Sequence, residues 1–327
     1  MTSTKEAIAP WFKEVLACPI CKSDVELSGN VLTCVNGDCR SQFPIVDGIP
    51  VMLPQLNRHH EYEKQYFDQE FMRYEKYALE NWRISYIKRI FGSLSISSSV
   101  TDSYLDIGVG GSGYTVIEAV RRGNKSVGLD VSIEGVKKAQ YFARSELGEK
   151  SNLCGFAVGL AENLPFKNEC FSKLSSIAVL EHVPNDKQAM AEIARVVKPG
   201  GEVFLTVPNT YQRIVPIFWL PYYFWDKKIG HLRHYKAEHL IAEFVSHGII
   251  TEEIAYSGHM IKLFQTLLSR LSGNFEKNAA KMWWQIESMD SKMSKLAYGL
   301  QLHLTMKKCW ANHPEQSESV INQKLRV

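Results

Sequence analysis

Tyr104-Leu105-Asp106-Ile107-Gly108-Val109-Gly110-Gly111-Ser112-Gly113 is an apolar strand running into a glycine-rich turn, and helix-forming sequence follows from Tyr114 to Arg122. Glycines at such a turn let the backbone approach a ligand closely, and the start of the next helix presents free amide donors. The pattern G-x-G-x-x-G also marks dinucleotide sites, so the flanking segments must decide. Outward from it, Ser126 to Asp130 reads as a second strand ending in an acid. Gly159 to Phe166, Leu174 to Pro184 and Ala191 to Pro208 continue an alternation of apolar strands and helical segments. That alternation predicts an α/β fold with a doubly wound parallel sheet. Lys198-Pro199-Gly200-Gly201 stops a helix and starts the next strand. Ligands of such sheets lie beyond the carboxyl ends of the strands, where Asp106, Asp130 and Glu181 are expected to converge.

An acid at Asp130 can accept hydrogen bonds from both ribose hydroxyls of an adenosine cofactor, which suits NAD and S-adenosylmethionine alike. Asp106 separates the two. A carboxylate directly before the glycines repels a pyrophosphate but suits an amino acid moiety and a sulfonium charge. With its five motifs in order, the stretch from about residue 100 to 258 strongly resembles the class I S-adenosylmethionine-dependent methyltransferases, of the type 11 kind. The resemblance implies a Rossmann-like methyltransferase sheet in which Asp106, Gly108 and Gly110 hold the methionine part and Asp130 the ribose. It also implies that Ala161 and Glu162 lie near the adenine and Glu181 and His182 beside the transferring methyl. Three positions depart from the pattern: Ser112 stands at the third glycine, Leu160 where an acid usually accepts the adenine amine, and Ser172 where an Asp often follows the Phe.

Cys18-Pro-Ile-Cys21 and Cys34-Val-Asn-Gly-Asp-Cys39 hold four of the seven cysteines. Two thiolate pairs on two tight turns supply the tetrahedral soft ligands of a structural zinc ion, with no open position for water. Val31-Leu32-Thr33 reads as a hairpin strand, Gly37 suits a left-handed turn, and Phe43 to Leu53 reads as a strand broken by Asp47-Gly48. Residues 18 to 53 resemble the small zinc ribbons that activate tRNA and protein methyltransferases and also occur fused to methyltransferases. Loss of metal from this ribbon is expected to spare the cofactor fold.

The 327 residues are 45% hydrophobic, enough for about two domains with real cores. Lys+Arg exceed Asp+Glu by 38 to 35, too small a surplus for a chain devoted to gripping a polyanion. With no membrane-length apolar run and no secretion signal at Met1 to Glu6, a cytoplasmic protein is expected. The expected organisation is a zinc ribbon at 1–56, a helical linker at 57–99, the methyltransferase domain at 100–260 with an acceptor-side insert at 209–235, and a helical basic extension at 261–327. In the linker, Tyr62, Tyr66, Tyr74 and Tyr77 fall near helical spacing and read as core packing.

The uncharged stretch from Ile214 to Trp225 is expected to be a lid or a buried connection, and as a lid it favours an apolar acceptor or a site opening near a membrane. Gly230-His231-Leu-Arg233 resembles a segment of methyltransferases of glycan, lipid and natural-product biosynthesis. His231, then His182, are the base candidates, and Arg233 suits a carboxylate or phosphate on the acceptor. Residues 261–327 carry ten Lys+Arg against five Asp+Glu. Met282, Ile286, Met289, Met293, Leu296 and Leu300 form an apolar stripe, read as packing on the domain or on a second subunit, or else as a membrane contact. The expected activity is methyl transfer to oxygen or nitrogen of a small-molecule, lipid or glycan intermediate. Its rivals are an RNA or protein methyltransferase, for which nucleic acid is the less favoured partner, and a non-catalytic cofactor-binding scaffold.

Overall fold

The computed structural model describes residues 8–77, 80–95, 102–214, 216, 219–259 and 280–310. Its centre is a seven-stranded sheet. Strands β5 (Ser103–Ile107), β6 (Lys125–Asp130), β7 (Cys154–Val158), β8 (Phe171–Ile177) and β9 (Val197–Pro208) pair in parallel, while β10 (Ile249–Ser257) and β11 (Gln301–Lys308) are antiparallel. The order is β10-β11-β9-β8-β5-β6-β7, so the winding reverses between β5 and β8. That reversal opens a crevice at the carboxyl ends of the strands. Helices α4 (Tyr114–Arg121), α5 (Ile133–Leu147), α6 (Asp186–Val196) and α8 (Ala237–Ser246) flank the sheet, and Leu105, Val127, Leu174 and Leu205 fill its interior.

Residues 301–308, expected in a helical extension, instead form β11 between β9 and β10. Leu302, Leu304 and Met306 are fully buried, and so is His303 on the other face, bonded to Thr206 at 2.8 Å and Ser257 at 2.7 Å. A strand covered on both faces loses the clean alternation that identifies strands in sequence. The sheet therefore draws its sixth and seventh strands from both sides of residues 260–279.

The extension does contain a helix, α9 (Ala280–Lys292), but its inner face is not the expected stripe. Trp283, Glu287 and Asp290 are buried, while Met282 and Met289 are exposed. Polar anchoring turns the helix: Asp290 accepts from the amides of Gly258 and His259 and lies 2.9 Å from His259 Nδ1, and Glu287 accepts from the hydroxyl of Ser85. Buried acids of this kind dock only where donors wait for them. The rest of the apolar stripe lies beyond the helix, and the tail from 311 onward is outside the described residues.

At the amino terminus a short helix, α1 (Pro10–Val15), leads to a four-stranded sheet, β1 (Val25–Ser28), β2 (Val31–Cys34), β3 (Gln42–Val46) and β4 (Ile49–Pro50). Asp47 and Gly48 both have positive φ, the geometry of the two-residue hairpin between β3 and β4. In the two cysteine turns the left-handed positions are Lys22 and Arg40, each directly after a cysteine, and not Gly37. The module is fused to the larger sheet. Ala17 donates to Pro165 O at 3.0 Å, Met52 donates to Val158 O at 2.8 Å, and Lys22 pairs with Glu192 at 2.6 Å. Phe12, Leu16, Cys18 and Met52 share one apolar cluster with Phe166, Phe171 and Leu174.

The linker forms α2 (Arg58–Met72) and α3 (Asn81–Ser93). Asn57 caps α2 by accepting from His60 N at 2.9 Å, and His60 returns the bond to Asn57 N. Through this cap α2 lies over α5 and across the crevice.

Candidate active site

A cavity of about 250 Å³ occupies the crevice, lined by the ends of β5, β6 and β8, by Gly159 to Glu162, and by one face of α2. Of the glycine turn, Gly108 lines it. Gly108, Gly110 and Gly113 have φ of +77°, +60° and +58°. A methyl on Gly108 would sit 2.3 Å from Val179 Cγ2, so the backbone approaches the strand β8 loop more closely than any side chain permits. Gly108→Ala is therefore expected to cut S-adenosylmethionine affinity at least tenfold, and the added Val179→Ala should restore only part of it, because the positive φ still disfavours a Cβ. Equilibrium titration of both variants checks this.

Asp130 faces the cavity. Its Oδ2 accepts from Gly110 N and its Oδ1 from Ser132 N, both at 2.9 Å, so one carboxylate ties the glycine turn to the end of β6. Burial pushes its pKa up to about 6. Asp106 lies deeper and accepts from the hydroxyls of Ser175 and Thr115, with burial raising it to about 7. Leu160 and Ala161 line the wall, and Glu162 beside them is held by His60 Nε2 at 3.1 Å. Leu160 stands where the family usually has an acid, and the nearest carboxylate on this wall is that of Glu162.

At the other end of the cavity is a cluster of acids and imidazoles. His182 lines the cavity, with Nδ1 3.3 Å from Glu63 Oε2, and His231 packs edge-on behind it with ring centres 5.0 Å apart. His231 Nε2 lies 3.8 Å from Glu181 Oε1, and its Nδ1 lies 2.8 Å from Asp226 Oδ1. His234 contacts Asp226 Oδ2 at 2.6 Å and bonds Asn209 O at 2.7 Å, while the Tyr211 hydroxyl donates to the same Asp226 oxygen. Asp226 comes from α7 (Trp219–Ile229), directly after the uncharged stretch. Burial opposes charge on His182, but Glu63 and Glu181 outweigh it and lift its pKa above the usual value. Burial also raises Glu181, whereas Asp226, although buried, is held low by His231, His234 and Tyr211.

Of the residues read from sequence, Gly108, Asp130, Ala161, Glu162 and His182 reach the cavity. Glu181 and His231 stand behind His182, so of the two base candidates it is His182 that lines the cavity. Arg233 is turned away: it donates to Val183 O and Pro184 O at 2.5 and 3.0 Å and pairs with Asp186 at 3.3 Å. Those carbonyls take the donors expected to meet an acceptor carboxylate, and Arg233 braces the loop that carries His182. The sequence reading missed His60, Glu63, Phe67 and Phe71 of α2. Their spacing of three and four was the available signal, but it was masked by the tyrosines one position away; Tyr62 is 53% exposed.

The four thiols of the amino-terminal module also converge, with Cys18 Sγ 3.7 Å from Cys39 Sγ, Cys21 Sγ 3.3 Å from Cys34 Sγ, and all four within 4.8 Å of one another. Sulfurs about 2.3 Å from a tetrahedral zinc lie a little under 4 Å apart, so the donor set fits that ion.

The fold and crevice define the class: a Rossmann-like methyltransferase fold, and residues 105–205 match the methyltransferase domain family. Ubiquinone biosynthesis O-methyltransferase of Dechloromonas aromatica (strain RCB) is 38% identical over 108 residues, 32% of this chain and 44% of that protein. Norajmaline N-methyltransferase of Rauvolfia serpentina is 37% identical over 102 residues, 31% of this chain and 34% of that protein. The chain thus spans less than half the length of these curated relatives. Geranyl diphosphate C-methyltransferase of Streptomyces coelicolor A3(2), in complex with Mg2+, geranyl diphosphate and S-adenosyl-L-homocysteine, superposes with a TM-score of 0.57 at 11% identity, covering 78% of this chain and all of that one, a likeness of fold.

Proposed function

We propose that the chain transfers a methyl group from S-adenosylmethionine to oxygen or nitrogen of a small-molecule, lipid or glycan biosynthetic intermediate, with a structural zinc held by Cys18, Cys21, Cys34 and Cys39. The observation that carries this reading is one cavity with Asp130 at the end of β6 and His182, backed by Glu181 and His231, at its other end. Bound there, the cofactor supplies an electrophilic methyl on a sulfonium. Gly108 and Gly110 let the backbone close on its amino acid part, Asp130 accepts from the ribose hydroxyls, and Glu162, steadied by His60, accepts from the adenine amine.

Methyl transfer is an in-line displacement, so the protein's share is to position the acceptor, exclude water and remove a proton. His182 is placed for the last task. In its neutral form it takes the acceptor's proton, and Glu63 and Glu181 stabilise the imidazolium that results. His231, oriented by Asp226, packs edge-on against His182 and holds its ring in place. Phe67 and Phe71 on α2 roof the cavity and keep it dry.

Labelled-methyl transfer into cell extract, separated into lipid, small-molecule, RNA and protein pools, tests the reading, with Asp106→Ala protein as the blank. Label in the lipid or small-molecule pool supports it; label confined to RNA or protein overturns it. A pH dependence follows from Asp130. With its carboxyl raised to about 6 in the free protein, the form that accepts from ribose prevails above that pH. Cofactor affinity is expected to fall about tenfold per unit below it, because binding must then expel one proton. Titration between pH 5 and 8 checks this, and a flat profile would show that Asp130 does not meet the ribose.

A further inference from the structure

Helix α7 has two faces with opposite characters. Tyr222, Asp226 and Ile229 turn inward, where Asp226, 4% exposed, holds His231 and His234. The other side carries Trp219, Leu220, Tyr223 and Phe224, exposed by 44%, 65%, 44% and 64%, followed one turn on by the exposed pair Lys227 and Lys228. These six positions repeat at intervals of one and three, so they form one surface of the helix. Four large apolar side chains side by side in water cost free energy that a packed protein normally avoids. Leu232, 45% exposed, extends the patch, and Tyr62 of α2 adjoins Gly230, 3.9 Å from where that glycine's Cβ would stand. The apolar surface therefore borders the helix that roofs the cavity.

We propose that this face of α7 docks on an anionic lipid bilayer, lying in the interface. An aromatic and aliphatic face flanked by lysines fits that boundary: indole and phenol rings settle at headgroup depth, and the lysine stems reach up to lipid phosphates. The charge agrees as well: the exposed charges of α7 are Lys227 and Lys228, and its one acid, Asp226, faces inward. A second protein surface would be served as well by an uncharged rim, whereas two exposed lysines at the end of the apolar strip select for negative phosphate. At eleven residues α7 rests on a bilayer without crossing it, and among the described residues no helix is long and apolar enough to span one. Resting on the methyl-transfer reading, the docking narrows the acceptor to a lipid-borne molecule that enters beside α2 from the bilayer.

Flotation of the full chain with vesicles tests the docking without reference to catalysis. The chain should float with vesicles of phosphatidylglycerol and phosphatidylcholine and at least tenfold less with phosphatidylcholine alone. Leu220→Ser with Phe224→Ser should reduce flotation at least tenfold, and Lys227→Glu with Lys228→Glu should do so on anionic vesicles. All four positions are exposed, and unchanged thermal unfolding of the variants would confirm that they fold. No flotation of the parent chain overturns the proposal, as does binding that survives both double variants and is lost only when the segment after residue 310 is removed. Self-association that Phe224→Ser abolishes, without vesicle binding, would assign the face to a second copy. Docking with no lipid methylation would leave the surface standing and refute the lipid-borne acceptor.

Discussion

Asp130→Ala is expected to weaken S-adenosylmethionine binding at least a hundredfold and to leave methyl transfer undetectable at cofactor levels that saturate the parent. The size of the effect follows from three bonds on one carboxylate. Two are visible in the free protein, from Gly110 N and Ser132 N, and the proposed third is with the ribose. A buried donor left without an acceptor costs about 1–3 kcal/mol. Removing the carboxylate strands two amides and also frees the turn whose φ values depend on that anchor. A hundredfold loss corresponds to about 2.7 kcal/mol, within reach of those terms together. Asp130→Asn gives a sharper reading. It keeps the volume and one acceptor but sets an amide group against a donor, so an intermediate loss, with the pH dependence near 6 abolished, is the expected pattern. Calorimetric titration of both variants decides it; unchanged affinity in Asp130→Ala would remove Asp130 from the cofactor site.

The strand, glycine turn and acid that border the crevice were legible because they are written in contiguous residues. A strand, three glycines at positive φ and an acid at the end of the next strand are local features, and each fell where the sequence put it. What was not legible depended on partners far away in the chain. Glu63 looked like one charge among many on a solvated helix, and only the fold brings it against His182, more than a hundred residues later. Asp226 sat at the edge of an uncharged insert with nothing to mark it as the residue that orients His231. Arg233 failed in the opposite sense: its motif was recognised, but a guanidinium next to free carbonyls is satisfied by them before any acceptor arrives. Strand β11 was hidden because both of its faces are buried, and α9 was misread because Asp290 and Glu287 decide its rotation more strongly than its methionines do.

Replacing Cys18 and Cys21 by Ser is expected to release the proposed zinc and to lower the unfolding temperature of the whole protein by roughly 4–7 °C, with a single transition. Sequence alone suggested a ribbon that could be lost without harm to the cofactor fold, and the contacts say otherwise. Leu16, Cys18 and Met52 are buried in the cluster that also holds Phe166 and Leu174, and the added Cβ of Gly155 would stand 2.5 Å from Phe12. Met52 N also donates to Val158 O, directly before Gly159 and Leu160 in the cavity wall. A closed four-thiolate site supplies folding free energy outright, so removing two ligands removes stability from everything packed on it. In a chain of this size a loss of about 3–5 kcal/mol moves the midpoint by roughly 1.5 °C per kcal/mol. Metal analysis together with calorimetry tests both halves. Metal retained at full occupancy would refute the four-cysteine site. A second, undisturbed transition with normal cofactor affinity would show instead that the ribbon unfolds alone, and that the shared cluster does not couple it to the wall of the cavity.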